Sequence, residues 1–328
     1  MKDRRTLLSL IIAVLLGGLA GYFVARGPMH ISASGTSTSQ ILRENSPEYK
    51  FTNPYLLTQS NTEVKDSIYN DLESKISAYD ANAESDGKIS DISVYLRNMN
   101  TGKWTGVNED DTYAPGSMLK VAIMMGYLSA AEINPSILDV KYDYDPQIDE
   151  GQYFKPPVML AAGTYSARDL IKNMIIESDN TATLILANQN TSIVQQVYKT
   201  LDLPDPEVAA DFMSPEQYAV FWRVLYNGTY LAHSTSEEAL DLLSLTTFND
   251  GLVAGLPANT RVAHKFGEHT DVYPNKPAVH ELHDCGIIYP TSGDPYFLCV
   301  MTRGSEFAPL EKTISDISKM VYTDLPRS

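Results

Sequence analysis

Ser117 and Lys120 are the first residues whose types and spacing could do chemistry. They open the run Ser117-Met118-Leu119-Lys120, followed by Val121, Ile123, Met124, Met125 and Leu128. Pro115-Gly116 breaks the chain just before it, so Ser117 is expected in the first turn of a helix. There, free backbone N–H groups and the positive dipole end favour an oxyanion. Lys120 stacks three residues on, over the same face. An ammonium group buried among apolar side chains gives up its proton more readily, which is what a base for a serine hydroxyl needs. Taken alone, the pair equally describes an N-cap serine and a snorkelling lysine, and a chain of this size contains about one S-x-x-K by chance. The pair is not alone. Ser178-Asp179-Asn180 stands 61 residues after Ser117, at the break between two helical patterns. Lys265-Phe266-Gly267 stands 87 residues after Ser178, at the end of a predicted strand.

The elements that must position these residues follow from periodicity. Residues 64–80 have helical spacing through Val64, Ile68, Leu72 and Ile76. Ile89 to Leu96 alternates as a strand, and Lys103 to Val107 returns from the Asn100-Thr101-Gly102 turn as its hairpin partner. Helical segments are predicted at 117–131, 167–176, 180–188, 192–200, 215–226 and 236–247. Strands follow at 261–267, 282–289 and 295–302, and a last helix at 309–322. Two early strands, a helical middle and three late strands imply one sheet assembled from both chain ends, with the helical block as a second lobe.

Composition bounds the rest. The 328 residues are 43% hydrophobic with 20 Tyr, enough to bury a core. The formal charge of −16 argues against a nucleic-acid partner. Leu7 to Ala25 is an uncharged run of 19 residues preceded by Lys2, Arg4 and Arg5. A helix of that length just crosses a hydrocarbon core, and the basic cluster predicts that the N-terminus stays in the cytoplasm. Residues 1–26 are therefore expected to anchor the chain in the cytoplasmic membrane. A cleaved signal peptide, cut near Ser32 or Ser34, is the competing reading and would make the protein secreted. No Cys lies near the segment, so a lipoprotein is excluded. Residues 27–48, rich in Ser, Thr and Gly, read as a tether, and residues 49–328 as one domain outside the membrane. The first 26 residues hold four basic groups and one acid, so the remainder carries −19.

The ordered motif set resembles the S-x-x-K, S-D-N and K-T-G motifs of class A β-lactamases and penicillin-binding proteins. The hairpin with Asn100-Thr101-Gly102, the segment Thr164 to Leu186 and the Ser214-Pro215 helix start stand in the family's order, over roughly residues 88–322. The resemblance implies an α/β (α+β) two-lobed β-lactamase-like fold: an antiparallel sheet packed with helices, plus an all-helical lobe. It makes Ser117 the nucleophile that attacks an amide carbonyl, and Lys120 the group that takes its proton or holds the network that does. Ser178 relays a proton to the leaving nitrogen, and Lys265 adds positive charge beside it. Asn180 binds the substrate's side-chain amide, with Asp179 turned away to hold its loop. The backbone N–H groups of Ser117 and Glu268 match the oxyanion hole, and Phe266, Gly267 and Glu268 join Asn180 as the substrate-binding residues that the resemblance implies. A β-lactam or a cell-wall peptide is the implied substrate; neither a cofactor nor a metal is expected.

Two departures matter. The family has Thr or Ser after the second lysine, a hydroxyl that helps hold the substrate carboxylate. Phe266 cannot hydrogen-bond, which leaves backbone groups or an arginine such as Arg303 to compensate. Class A β-lactamases also carry a deacylating glutamate in an E-x-x-L-N loop. Residues 181–213 have none and look shortened, which favours a long-lived acyl-enzyme unless Glu207 supplies the base. Glu268 to Glu281 reads as an added loop covering the side left open by that shortening. His264, His269, His280 and His283 fall within 20 residues of one another, but their spacing fits no metal motif, and solvated loop histidines are the better reading. Cys285 and Cys299 lie on strands joined by a turn, side by side or one residue out of register, either bridged or reduced. The favoured functional reading is a β-lactamase-like serine acyl-enzyme hydrolase; the alternatives are a penicillin-binding D,D-peptidase with slow deacylation and a non-catalytic binding or sensory domain.

Overall fold

Strand β9 (Tyr296–Gly304) alternates its side chains between two cores, and the architecture follows from that. Phe297, Cys299 and Met301 face a core shared with the helical lobe, while Tyr296, Leu298 and Val300 face a second core under the terminal helices. A strand buried on both faces reads as a continuous apolar run. The computed structural model describes residues 41–43, 49–58, 65–85, 87–146 and 152–325. In chain order these form β1 (Ile41–Arg43), β2 (Tyr55–Thr58), α1 (Asn70–Ser85), β3 (Ile89–Asn98) and β4 (Trp104–Val107). Then come α2 (Lys120–Ile133), β5 (Lys141–Tyr144), β6 (Gly163–Ser166), α3 (Ala167–Ile176), α4 (Asn180–Gln189), α5 (Thr191–Thr200) and the one-turn α6 (Pro206–Ala209). The chain continues through α7 (Pro215–Tyr226), α8 (His233–Leu243), β7 (Arg261–Asp271), β8 (Val279–Tyr289), β9 and α9 (Phe307–Asp324).

Five strands form one antiparallel sheet in the order β4-β3-β9-β8-β7, so both chain ends contribute to it as the sequence predicts. Helices α1 and α9 cover one face, through Leu72, Ile76, Leu310, Ile314 and Ile317. The other face meets the helical lobe, whose central helix α2 is apolar nearly all round and buried from Lys120 to Leu128. Side-chain caps set the starts of the surrounding helices. Ser166 and Asp169 form a capping box at α3, and Ser214 and Gln217 form another at α7, with Pro215 at its first position.

Several boundaries differ from expectation. The first helix begins at Asn70, because Asp66 caps a 3-10 turn over Ser67–Tyr69 ahead of it. Arg43, read as tether, is docked on the domain: its guanidinium donates to the carbonyls of Asn53, Met99 and Asn100 and to Asn227 Oδ1. Half of the stretch Glu268–Glu281 is strand, since β7 runs to Asp271 and β8 resumes at Val279, leaving a short connection. Cys285 stands directly opposite Cys299, and the two are bridged as a disulfide. The anchor over residues 7–25 lies outside the described residues, among which no helix is long and apolar enough to cross a membrane.

The expected loop histidines are strand residues with partners of their own. His264 is buried and pairs with Asp284 at 2.9 Å, while His269 meets Asp271 at 3.1 Å and His280 meets Thr270 at 2.9 Å. Among the described residues no group of three or more His, Cys, Asp or Glu is arranged to hold a metal. His283 belongs to a clasp that fixes the chain ahead of Ser117. Its Nε2 lies 3.2 Å from the Ala114 carbonyl oxygen, and the Glu281 carboxylate accepts the Ala114 N–H at 2.8 Å. Arg303 completes the clasp, reaching Glu281 at 2.7 Å, Asp91 at 3.2 Å and the Thr112 carbonyl at 3.2 Å, with its guanidinium over the Tyr113 ring. Burial works to raise the Glu281 pKa, but the hydrogen bonds and charges of His283 and Arg303 outweigh it and hold the carboxyl below its usual range. The arginine proposed to receive a substrate carboxylate is thus committed to the fold.

Two predictions follow from these contacts. A carboxyl held below its unfolded value adds stability above about pH 4.3 and loses it as pH falls through the folded value. Glu281→Gln should therefore cost about 2 kcal/mol in urea denaturation at pH 7, with the gap to wild type narrowing below about pH 4; a gap constant with pH would refute the charged clasp. For the disulfide, intact mass after alkylation of the denatured chain should show no adduct without reductant and two adducts with it. Reduction should cost about 3 kcal/mol of stability, the loop-closure value for a loop of about 15 residues.

Candidate active site

Ser117 lies in a 3-10 turn over Gly116–Leu119, directly ahead of α2, so the serine stands just before the helix rather than inside its first turn. Lys120 is the first residue of α2, and its side chain is 2% exposed. Its Nζ lies 2.7 Å from Ser117 Oγ, 2.7 Å from the Ser178 carbonyl, 3.1 Å from Ser178 Oγ and 2.8 Å from Asn180 Oδ1. An ammonium has three N–H groups to distribute over these four oxygens. A neutral amine keeps a lone pair for the Ser117 hydroxyl proton and still donates to the S-D-N segment.

Ser178 reaches this position because its backbone is left-handed, at φ 57° between α3 and α4. That conformation is costly for a residue with a Cβ, and here it turns both the carbonyl and the hydroxyl toward Lys120. Asp179 holds the turn, as expected. Its buried carboxylate accepts the Ala182 N–H at 3.1 Å as the cap of α4, the Tyr144 hydroxyl at 2.6 Å and the Asn173 amide. Tyr144 comes from the β5–β6 hairpin, whose few polar residues gave no strand signal in the sequence.

Lys265 enters from β7, fully buried, with Nζ 2.9 Å from Ser178 Oγ and 3.0 Å from the Phe266 carbonyl. Burial first, then the Lys120 charge, push its ammonium well below the usual lysine range, against the opposing pull of Asp284 and Glu268. The Phe266 ring lies 4.2 Å from Lys265 Nζ, supplying the negative face of a π system where the family pattern has a hydroxyl. With both lysines on its oxygen, Ser178 has its own hydroxyl proton to direct elsewhere.

Two glycines let the sheet and the nucleophile turn meet. A Cβ on Gly267 would stand 2.0 Å from the Pro115 carbonyl oxygen, and one on Gly116, at φ 53°, would stand 2.3 Å from the Glu268 carbonyl oxygen. The main chain of Glu268 therefore lies against the turn that carries Ser117, as two backbone oxyanion donors require. The side chain of Glu268 has a partner the sequence did not suggest: its carboxylate accepts the N–H groups of Tyr153 and Phe154, each at 3.0 Å. Gln152 stands beside Asn180, with Oε1 3.5 Å from Asn180 Nδ2. Glu207 is exposed in the first turn of α6, its N–H held by Asp205.

Residues 71–325 match the model of the beta-lactamase enzyme family. No curated protein matches the chain. Among solved structures, PBP-A superposes with a TM-score of 0.64 at 20% identity, covering 81% of this chain and 98% of its own. The TLA-3 extended-spectrum beta-lactamase gives a TM-score of 0.66 at 21% identity, with 78% and 98% covered. A beta-lactamase from Chitinophaga pinensis gives 0.65 at 20%, with 78% and 100% covered. At such identities these structures establish the fold, and the family match spans most of the sequence; the chain belongs to the beta-lactamase enzyme family of serine hydrolases.

Proposed function

We propose that the protein is an acyl-enzyme hydrolase in which Ser117 attacks the carbonyl of a β-lactam or a related amide. The observation that carries this is the 2.7 Å contact between Lys120 Nζ and Ser117 Oγ, made by a lysine buried in an apolar helix. Neutral Lys120 takes the Ser117 proton as the Ser117 oxygen bonds to the carbonyl carbon. The N–H groups of Ser117 and Glu268 receive the oxyanion, an interaction for which one donor contributes about 3–4 kcal/mol of barrier. Ser178 passes its proton to the leaving nitrogen and is resupplied by the lysines that share its oxygen. Asn180, with its amide beside the cleft, holds the side-chain amide of the donor. One structure similar to this chain, a mutant of PBP-A, is an acyl-enzyme complex with penicillin G, which supports a penicillin as first probe.

Within this reading we favour slow release of the acyl group, as in a D,D-peptidase that binds penicillin and acts on cell-wall peptides. Glu207 is the carboxylate put forward as deacylating base, and its exposure in a one-turn helix leaves it to bulk water. The uncharged run at residues 7–25 and the basic cluster before it support a place for the domain outside the cytoplasmic membrane.

Incubation of the purified domain with a fluorescent penicillin, followed by intact mass and peptide mapping, should give one adduct on Ser117. Lys120→Ala should slow adduct formation at least 100-fold, within the usual range for loss of general base catalysis. Unchanged labelling in that variant would remove Lys120 from its role, and labelling of neither penicillin nor peptide donors would favour a binding domain. Once formed, the adduct should decay at the same rate, within twofold, in Glu207→Gln and wild type. A large slowing in the variant would make Glu207 the base and the protein a β-lactamase in the full sense.

A further inference from the structure

We propose that Gln152–Phe154 is a strap across the acyl-donor cleft that limits the cross-section of the donor able to reach Ser117. As a statement about the substrate class of that site, this rests on the acyl-transfer reading above. The strap touches opposite walls. Gln152 Oε1 lies 3.5 Å from Asn180 Nδ2, at the start of α4 in the helical lobe. One and two residues later, the N–H groups of Tyr153 and Phe154 donate to the two carboxylate oxygens of Glu268, on β7 of the sheet, each at 3.0 Å. Three residues extend at most about 10 Å, so the gap between Asn180 and Glu268 is spanned by these residues themselves. The same Asn180 and Glu268 are the groups placed to hold a donor's side-chain amide and its oxyanion.

Aromatic packing holds the strap from its far side. The Phe154 ring stands 5.2 Å from Phe248, 5.8 Å from Phe266 and 5.5 Å from Phe307, all at steep edge-to-face angles. Phe248 and Phe266 are themselves stacked at 4.2 Å, and Tyr153 stacks on Phe307 at 4.4 Å. Edge-to-face pairs of this kind contribute beyond the area they bury. Phe266, the departure from the hydroxyl of the family motif, thereby acquires a role: it is one wall of the socket that seats Phe154. Ser117 remains partly exposed beside the strap, so a narrow donor reaches it without displacing the latch, while a broad one must break two charge-assisted hydrogen bonds and unseat a ring.

Thiol accessibility tests this without requiring acyl transfer. In a Ser117→Cys background, the rates of thiol modification by methyl methanethiosulfonate, which forms a mixed disulfide and releases methanesulfinate, and by fluorescein maleimide measure access for a small and a broad reagent; the other two cysteines are buried and bridged. Adding Phe154→Ala should raise the maleimide rate at least tenfold and leave the small reagent within twofold. Glu268→Ala, which removes the latch and spares the socket, should move the ratio the same way and serves if Phe154→Ala fails to fold. An unchanged ratio in a folded variant overturns the strap. A raised ratio in a chain whose Ser117 form takes no penicillin keeps the strap and overturns the acyl-transfer reading instead.

Discussion

Two lysine side chains converge on one serine hydroxyl in the interior of this protein, and much of the structure can be understood as the means of keeping them there. Lys120 and Lys265 are both buried, and both reach Ser178 Oγ within 3.1 Å. Taking polar nitrogen groups of this kind out of water is costly unless oxygens replace the lost hydration. For Lys120 the replacements come from Ser117, from the carbonyl and hydroxyl of Ser178, and from Asn180. These belong to segments some 60 residues apart, so the helical lobe must close before the cost is met. The left-handed backbone at Ser178 and the capping carboxylate of Asp179 are local expenses of the same requirement.

The sheet imposes the complementary constraint. Strand β7 lies main chain to main chain against the turn before α2, and only glycine at positions 116 and 267 permits that contact. Close approach alone leaves the turn free to slide along the strand. The Glu281–His283–Arg303 clasp removes that freedom by holding both the N–H and the carbonyl of Ala114, three residues ahead of the nucleophile. Arg303 is thereby engaged with Glu281, Asp91 and the Thr112 carbonyl.

What could be read in the sequence was what short spacing encodes. The S-x-x-K pair, the S-D-N turn and Lys265 ahead of a glycine each carry their chemistry within a few residues. Helices 167–176 and 215–226 are bounded by caps written beside them, and their limits agree residue for residue. What could not be read depends on partners distant in sequence. Glu281 is an ordinary strand residue until Ala114 and Arg303 are brought to it, and Arg43 is a tether residue until it meets the carbonyls of Met99 and Asn100. The histidines illustrate the same limit: a crowded stretch of sequence placed four of them together, and strand alternation then gave each a different neighbour. The extension of β7 and β8 was hidden because half-exposed strand ends carry the polar composition of a loop.

Phe266 bears most directly on whether the chemistry is intact. A hydroxyl exchanged for a ring is, on the sequence alone, the strongest argument for a domain that has given up catalysis. In the structure the ring faces Lys265 Nζ at 4.2 Å and stabilises the ammonium by its quadrupole, without competing for a donor N–H that Ser178 needs. Its face stacks on Phe248, and the pair seats Phe154 from the segment that latches on Glu268. The exchange therefore moves the position from direct contact with a donor's carboxylate to support of the lysine and of the wall opposite Asn180. A purely structural core would be more stable with an apolar pair in place of two buried lysines. Their burial around Ser178 is met by oxygens of Ser117, Ser178, Asn180 and Phe266, the same groups that the proposed proton transfer at Ser117 would use.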